Sequence, residues 1–364
     1  MQLLAIDVGT GTQDILLFDT RHEPENALKM IMPSPTQRVA EEIRQAMVRG
    51  EPVLLAGATM GGGPCAWAAG EYLRAGGVIY ATPAAACTFD DDLAAVMEMG
   101  VRIVSEDEAR SLAGVRRIEL RDVDWTALRQ AFALFGVKLA PAAIGVAVFD
   151  HGAAPAGYSD RRFRFDQLAA RLRERPHLQA LSYLAEELPA YLTRMRAVAG
   201  SFPLDCPLLF MDTPTAAVLG AREDPHVRVA EDCIAVNIGN QHTLAFRLRG
   251  EVVTGLFEHH TGKLTAGRLD ELIGQLAAGE IDSEAVFQDH GHGALLLDTA
   301  PLERFLLSVT GPRRALLRAS RYHPYFAVPY GDMMAAGCWG LVRAMAGRLP
   351  ALAGEIEGAL ARGQ

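Results

Sequence analysis

Residues 3–19 read Leu3-Leu4-Ala5-Ile6-Asp7-Val8-Gly9-Thr10-Gly11-Thr12-Gln13-Asp14-Ile15-Leu16-Leu17-Phe18-Asp19. Two apolar runs, Leu3 to Ile6 and Ile15 to Phe18, flank a polar turn, which is the pattern of two short strands tightly joined. Gly9 and Gly11 let the backbone bend sharply and approach a ligand. The hydroxyls of Thr10 and Thr12 and successive amide groups add an anion-binding concavity. Asp7 ends the first strand, where a carboxylate can hold a metal-bound water beside a phosphate. Asp14 lies just past the turn as a further acidic candidate.

A second stretch repeats this plan. Residues 233–248, Cys-Ile-Ala-Val-Asn-Ile-Gly-Asn-Gln-His-Thr-Leu-Ala-Phe-Arg-Leu, give strand, turn and strand again, with Asn237 in the place of Asp7 and Gly239, Asn240, Gln241, His242 and Thr243 in the turn. Two such hairpins about 230 residues apart indicate a duplicated fold that clamps a phosphate chain from both sides. On these residues the chain resembles the actin, hexokinase and heat-shock chaperone superfamily. Three further segments fit the resemblance: Asp212 to Gly220 as a helix connecting the lobes, Phe305 to Pro312 as an adenosine motif with Thr310 and Gly311 at its turn, and Asp332 to Met345 as a second connecting helix. The resemblance implies two ribonuclease H-like α/β lobes around a nucleotide cleft, the first with a large α/β insertion. It also implies ATP held with Mg²⁺, with Asp7 on the metal. The lobes are expected at residues 1–212 and 213–364. The chain further resembles a family within this superfamily that has been labelled as pyruvate formate-lyase activating proteins.

Composition fits a globular protein. Of 364 residues 50% are hydrophobic and 22% charged, and the net charge is −9 without a basic run, which argues against nucleic acid as a partner. The cysteines at 65, 87, 206, 233 and 338 are too scattered for a zinc ribbon, a disulfide framework or a three-cysteine iron–sulfur motif. Radical chemistry through a bound cluster therefore lacks support. No basic leader or long apolar run is present, so the expectation is a cytoplasmic protein without a membrane partner; a homodimer is an open assembly.

Between the motifs, Val53 to Ala56 runs into Gly57-Ala58-Thr59-Met60-Gly61-Gly62-Gly63-Pro64 ahead of a helix. A glycine-rich loop opening a helix is an anion site when its amides are free, and a flexible connection otherwise, so Gly61, Gly62 and Gly63 are substrate-contact candidates. Residues 77–150 alternate short strands and helices. Tyr158 to Phe165, with basic residues alternating with Phe163 and Phe165, reads as a half-buried edge strand. Leu178 to Val198 reads as a helical stretch broken at Pro189.

Two histidine motifs lie outside the superfamily resemblance. Asp150-His151-Gly152 is echoed by Asp289-His290-Gly291-His292-Gly293, both expected in exposed loops, and His259-His260 adds a pair. They can cap turns, contact a substrate or nucleotide, or bind a transition metal, and the sequence leaves all three open.

The resemblance also marks departures. Asn237 replaces an aspartate, Thr213 stands where the chaperones carry a glutamate, and Leu244 where they carry a further aspartate. An amide cannot take a proton or neutralise Mg²⁺, so hydrolysis by the chaperone route is not expected to be fast. Asp212 is a candidate base because related sugar kinases carry an aspartate near the start of a similar helix, here one residue out of register; Asp14 and Asp150 are alternatives. Three readings result: an ATP-binding activator or assembly factor acting on a client protein, a kinase acting on an unknown small molecule, and a scaffold that has kept the fold without the nucleotide.

Overall fold

A computed structural model describes residues 1–203 and 205–363. The first hairpin forms as the apolar pattern predicts. β1 (Gln2–Val8) and β2 (Thr12–Asp19) pair antiparallel, and β3 (Leu28–Pro33) pairs with β2. Leu3 to Ile6 are fully buried because helices cover both faces of this strand. A four-stranded parallel sheet follows, built of β4 (Val53–Gly57), β5 (Ile79–Ala81), β6 (Arg102–Ile103) and β7 (Arg116–Leu120) in the order β6-β5-β4-β7, with its own core. The chain then returns through β8 (Ala143–Val148), β9 (Ser182–Leu184) and β10 (Leu208–Met211), completing a first sheet of order β3-β2-β1-β8-β10-β9.

The second sheet repeats the first. It consists of β11 (Asp232–Ile238), β12 (His242–Arg249), β13 (Val252–His260), β14 (Gly291–Leu296), β15 (Leu306–Thr310) and β16 (Tyr325–Phe326), in the order β14-β13-β12-β11-β15-β16. In both sheets an antiparallel meander, of three strands in the first and four in the second, is continued by two parallel strands beside its first member. This is the duplicated, two-lobed ribonuclease H-like architecture expected from the sequence.

Two helices cross between the sheets. Helix Thr213–Ala221 packs on β11, β12 and β15, and helix Ala336–Arg348 packs on β1, β8 and β10. They approach closely through small residues. A Cβ on Gly220 would lie 1.8 Å from the Ala336 carbonyl oxygen, and one on Gly340 would lie 1.8 Å from that of Ala216. Their apolar surroundings, including Trp339, Leu341 and Val218, join both lobes in one core.

Three expectations need correction. Tyr158 to Phe165 is not an edge strand, since helix Asp160–Glu174 begins there. Phe165, Leu168, Ala169 and Leu172 recur at helical spacing and bury one face, which outweighs the short alternation of Arg and Phe. Leu178 to Val198 is helical only at Thr193–Ala199 and in short 3₁₀ turns, because Ser182–Leu184 pairs antiparallel with β10 as an edge strand. Neither histidine motif is a wholly exposed loop: Asp150 and Gly152 are buried, and Gly291 and His292 lie in β14, where His292 is buried. Among the described residues no helix is long and apolar enough to cross a membrane.

Candidate functional site

A cleft of about 1030 Å³ opens between the lobes and is lined by both hairpin turns. The turns share one backbone solution. Gly9 N donates to Thr12 O at 2.9 Å in the first, and Gly239 N donates to His242 O at 2.9 Å in the second. They also meet: a Cβ on Gly11 would come within 2.9 Å of the Asn240 side-chain nitrogen. Gly9, Thr10, Gly11, Thr12, Asn237, Gly239, Asn240, Gln241 and His242 all line the cleft, with Thr310 and Gly311 from the end of β15. Gln13 and Thr243 do not. The Gln13 amide donates to Asp122 O at 2.9 Å, and the Thr243 hydroxyl bonds that of Thr261 at 2.9 Å, so both brace the walls.

The first turn carries the acidic end of the cleft. Strand register places Asp7 opposite Asp14, and each has an Oδ1 that is buried and without a partner in the protein. Burial, and then the neighbouring carboxylate, raises the Asp7 pKa well above the usual range; burial pushes Asp14 up to about 6. Asp7 also abuts the start of helix Ala336–Arg348, since a Cβ on Gly337 would lie 1.9 Å from Asp7 Oδ2. Two facing carboxylates with unsatisfied oxygens suit a hard divalent cation, and Mg²⁺ with its water shell fits this donor set. The equivalent pair in the second hairpin is Asn237 and Leu244, which offers no charge.

The glycine-rich loop borders the same cleft through Gly61, Gly62 and Gly63. Several of its amides are already engaged. Met60 N donates to Thr88 Oγ1, Gly61 N to Asp122 Oδ1, and Cys65 N to Thr36 Oγ1. A buried ion pair fixes this arrangement: Arg194 Nε and Nη2 reach the Asp122 carboxylate at 2.7 and 2.9 Å, and Arg194 Nη1 donates to Phe149 O at 2.6 Å.

Asp212 stands at the N-terminus of helix Thr213–Ala221 without a side-chain capping bond, and it does not line the cleft. Its Oδ2 accepts from Arg164 Nη1 at 2.9 Å and its Oδ1 from Asp150 N at 3.1 Å. Arg164 also donates to Asp150 O at 2.8 Å and, through Nε, to Glu258 Oε1 at 3.0 Å across the lobe boundary. Burial opposes its charge, but the Asp212 and Glu258 carboxylates outweigh this and hold it protonated. The Asp150 carboxylate is occupied as a loop brace, accepting from Gly152 N and Met195 N at 2.9 Å each, and burial pushes its pKa up to about 6.

The histidines gather around this network. Phe149 stacks on His242 with ring centroids 3.9 Å apart, and the Arg164 guanidinium lies over the Phe149 ring, 3.9 Å from its centroid. His151, His242, His260 and His292 adjoin one another, with burial lowering the pKa of His151 to about 3 and of His260 to about 4 and keeping His242 and His292 neutral. Asp289 and His290 stand apart from them. Asp289 Oδ2 accepts from Arg268 Nε at 2.6 Å and lies 3.5 Å from His259 Nε2, while His290 is an exposed turn residue at φ 64°. The sequence signalled His151 and His292 by their Asp-His-Gly context. It did not single out Arg164 or Glu258 as their anchor; the one signal was an acidic residue directly before His259-His260 in an otherwise apolar strand.

None of the curated proteins matches the chain. Among solved structures it is similar to the ethanolamine utilization protein EutJ from Carboxydothermus hydrogenoformans, at 12% identity over 94% of this chain and 89% of that one, with a TM-score of 0.34. It is also similar to the ROK hexokinase from Thermus thermophilus, at 12% identity over 70% of this chain and 47% of that one, with a TM-score of 0.24. A ROK family transcriptional regulator described as a homolog of the E. coli MLC protein gives 10% identity over 100% and 80% of the two chains, with a TM-score of 0.33. A family model described as "Putative pyruvate format-lyase activating enzyme (DUF1786)" matches residues 60–316, more than half of the sequence. The chain belongs to that family.

Proposed function

We propose that the protein binds ATP or ADP with Mg²⁺ between its lobes and uses nucleotide-linked closure of the cleft to act on a client protein, as an ATPase-type activator or assembly factor. The observation that carries this reading is the pair of equivalent turns facing each other over a cleft, with the unpartnered oxygens of Asp7 and Asp14 at one end. Turn amides from both lobes would hold the phosphates, and Thr310 and Gly311 would border the nucleoside. When bound, Mg²⁺ would neutralise phosphate charge. The chain's own part is to orient the phosphates and to position water through Asp7. Slow turnover fits the neutral Asn237 and Leu244 on the opposite side.

The family description names an activating enzyme. Among the described residues the cysteines form no grouping that would bind an iron–sulfur cluster, and the one cluster of metal-ligating side chains is made of histidines. Activation driven by nucleotide is the reading that these residues support.

One observation favours a second reading, a small-molecule phosphotransferase. The cleft is at the upper end of ligand-pocket sizes, leaving room beside a nucleotide near Gly61–Gly63 and His151. Against it, Asp212 and Asp150 are tied into ion pairs and backbone bonds and are poorly placed to serve as a base. Incubation with labelled ATP and a metabolite extract separates the two. The activator predicts slow phosphate release that a client protein accelerates, and the kinase predicts a labelled metabolite instead.

A further inference from the structure

β12, β13 and β14 are adjacent in the second sheet, and their register sets His242, His260 and His292 at one end of it. His151 reaches them from the loop after β8, in the other lobe. One ring nitrogen from each of His151, His242 and His292 lies within 4.8 Å of the others. We propose that these three histidines form a binding site for a divalent transition cation such as Zn²⁺, separate from the Asp7 oxygen site.

Three independent features point to a cation rather than to a stack of rings. The first is unsatisfied polarity. His242 Nε2 and both ring nitrogens of His292 are buried without a hydrogen-bond partner in the protein, and leaving such atoms unpaired is costly. A cation bound through the imidazole lone pairs removes most of that cost.

The second is spacing. The centroids of His151, His242 and His292 are 5.4, 5.6 and 5.1 Å apart pairwise. With metal–nitrogen bonds of about 2.0–2.1 Å and tetrahedral angles, ligating imidazole rings have centroids roughly 5 Å apart. Small side-chain adjustments would bring the nitrogens onto one ion.

The third is a carboxylate behind the ring. Glu258 Oε2 is itself buried and unpartnered, and it lies 3.8 Å from His292 Nδ1. A shift of under about 1 Å would bring this carboxylate into hydrogen-bond range of Nδ1, leaving Nε2 for the metal, which is the usual outer-shell arrangement for a histidine ligand. Arg164 fixes Glu258 through its other oxygen at 3.0 Å.

The donor set also determines the ion. Three imidazoles favour zinc, iron, cobalt or copper over Mg²⁺ and Ca²⁺, which prefer oxygen. Three ligands leave a fourth position open. His151 and His242 line the cleft, so that position faces it and would take water or an oxygen of a cleft-bound molecule. The proposal stands whether or not the cleft binds nucleotide.

The test uses the full chain, stripped with a chelator and titrated with Co²⁺ in the absence of nucleotide. The expected result is one equivalent bound per chain, with the visible bands of a nitrogen-ligated four- or five-coordinate ion, displaced by Zn²⁺. His151→Gln and His292→Gln should each weaken binding by about 100-fold or more and Glu258→Gln by roughly 10–100-fold, while exposed His22→Gln leaves it unchanged. Folding of each variant is checked by circular dichroism, and Zn²⁺ should raise the melting temperature of the wild type and of His22→Gln but not of His151→Gln or His292→Gln. Absence of stoichiometric Co²⁺ and Zn²⁺ binding by the folded wild type would overturn the site without reference to any variant. Equal binding by His22→Gln, His151→Gln and folded His292→Gln would do the same.

Discussion

The two hairpins share a fold and differ in chemistry. Asp7 and Asn237, Asp14 and Leu244, and Thr12 and His242 occupy matching places in their strands and turns. In the first lobe, the paired positions supply two carboxylates, and the buried oxygens there suit Mg²⁺. In the second lobe the same positions are neutral, and the residue closing the turn is a histidine that joins three others. The two turns therefore share a backbone, while their side chains divide into an oxygen end and a nitrogen end. The lesson is that a shared turn geometry leaves the chemistry of the site to a few side chains at the strand ends.

The largest effect should come from cutting the tie that anchors the nitrogen end. Arg164→Leu leaves Glu258 and Asp212 buried without their cation, and should cost about 3–5 kcal/mol of stability in denaturant unfolding. A loss under about 1 kcal/mol would mean that the network is more hydrated than its burial indicates.

Making the first hairpin resemble the second is the next test. Asp7→Asn keeps the shape and removes a charge that burial disfavours, so the melting temperature should hold or rise. Mg²⁺-dependent nucleotide affinity should fall about 100-fold, near 2.7 kcal/mol, as measured by titration calorimetry. Unchanged affinity would place the metal elsewhere.

The reverse change sharpens the comparison most gently. Asn237→Asp restores a carboxylate opposite Asp7, and should raise phosphate release by up to about tenfold, near 1.4 kcal/mol in barrier. No change would show that the second hairpin is too far from the attacking water for its charge to matter.

Much of the fold was legible because its strands are short, apolar and repeated. Leu3 to Phe18 and Ile234 to Leu248 announce themselves by composition and by the turn between them, and the two helices that join the lobes were expected from the superfamily resemblance, the second also from its small residues around Gly340. The nitrogen end was harder to read for definite reasons. Gly291-His292-Gly293 looks like a turn because glycine weakens a strand pattern, yet pairing with β13 carries it into the sheet. Arg164 sits where Arg and Phe alternate with a period of two for a few residues, and only the later Leu168 and Leu172 reveal the helix. The meeting of His151, His242 and His292 depends on strand register and on the approach of two lobes, neither of which is encoded within a few residues of any one histidine.

The central claim is that the cleft is a Mg²⁺–nucleotide site, and calorimetric titration of the chelator-treated wild type with ADP and ATP, each with and without Mg²⁺, tests it most directly. The account predicts saturable binding of one nucleotide per chain that strengthens when Mg²⁺ is present. Absence of heat and of any thermal stabilisation by either nucleotide at millimolar concentration would contradict it.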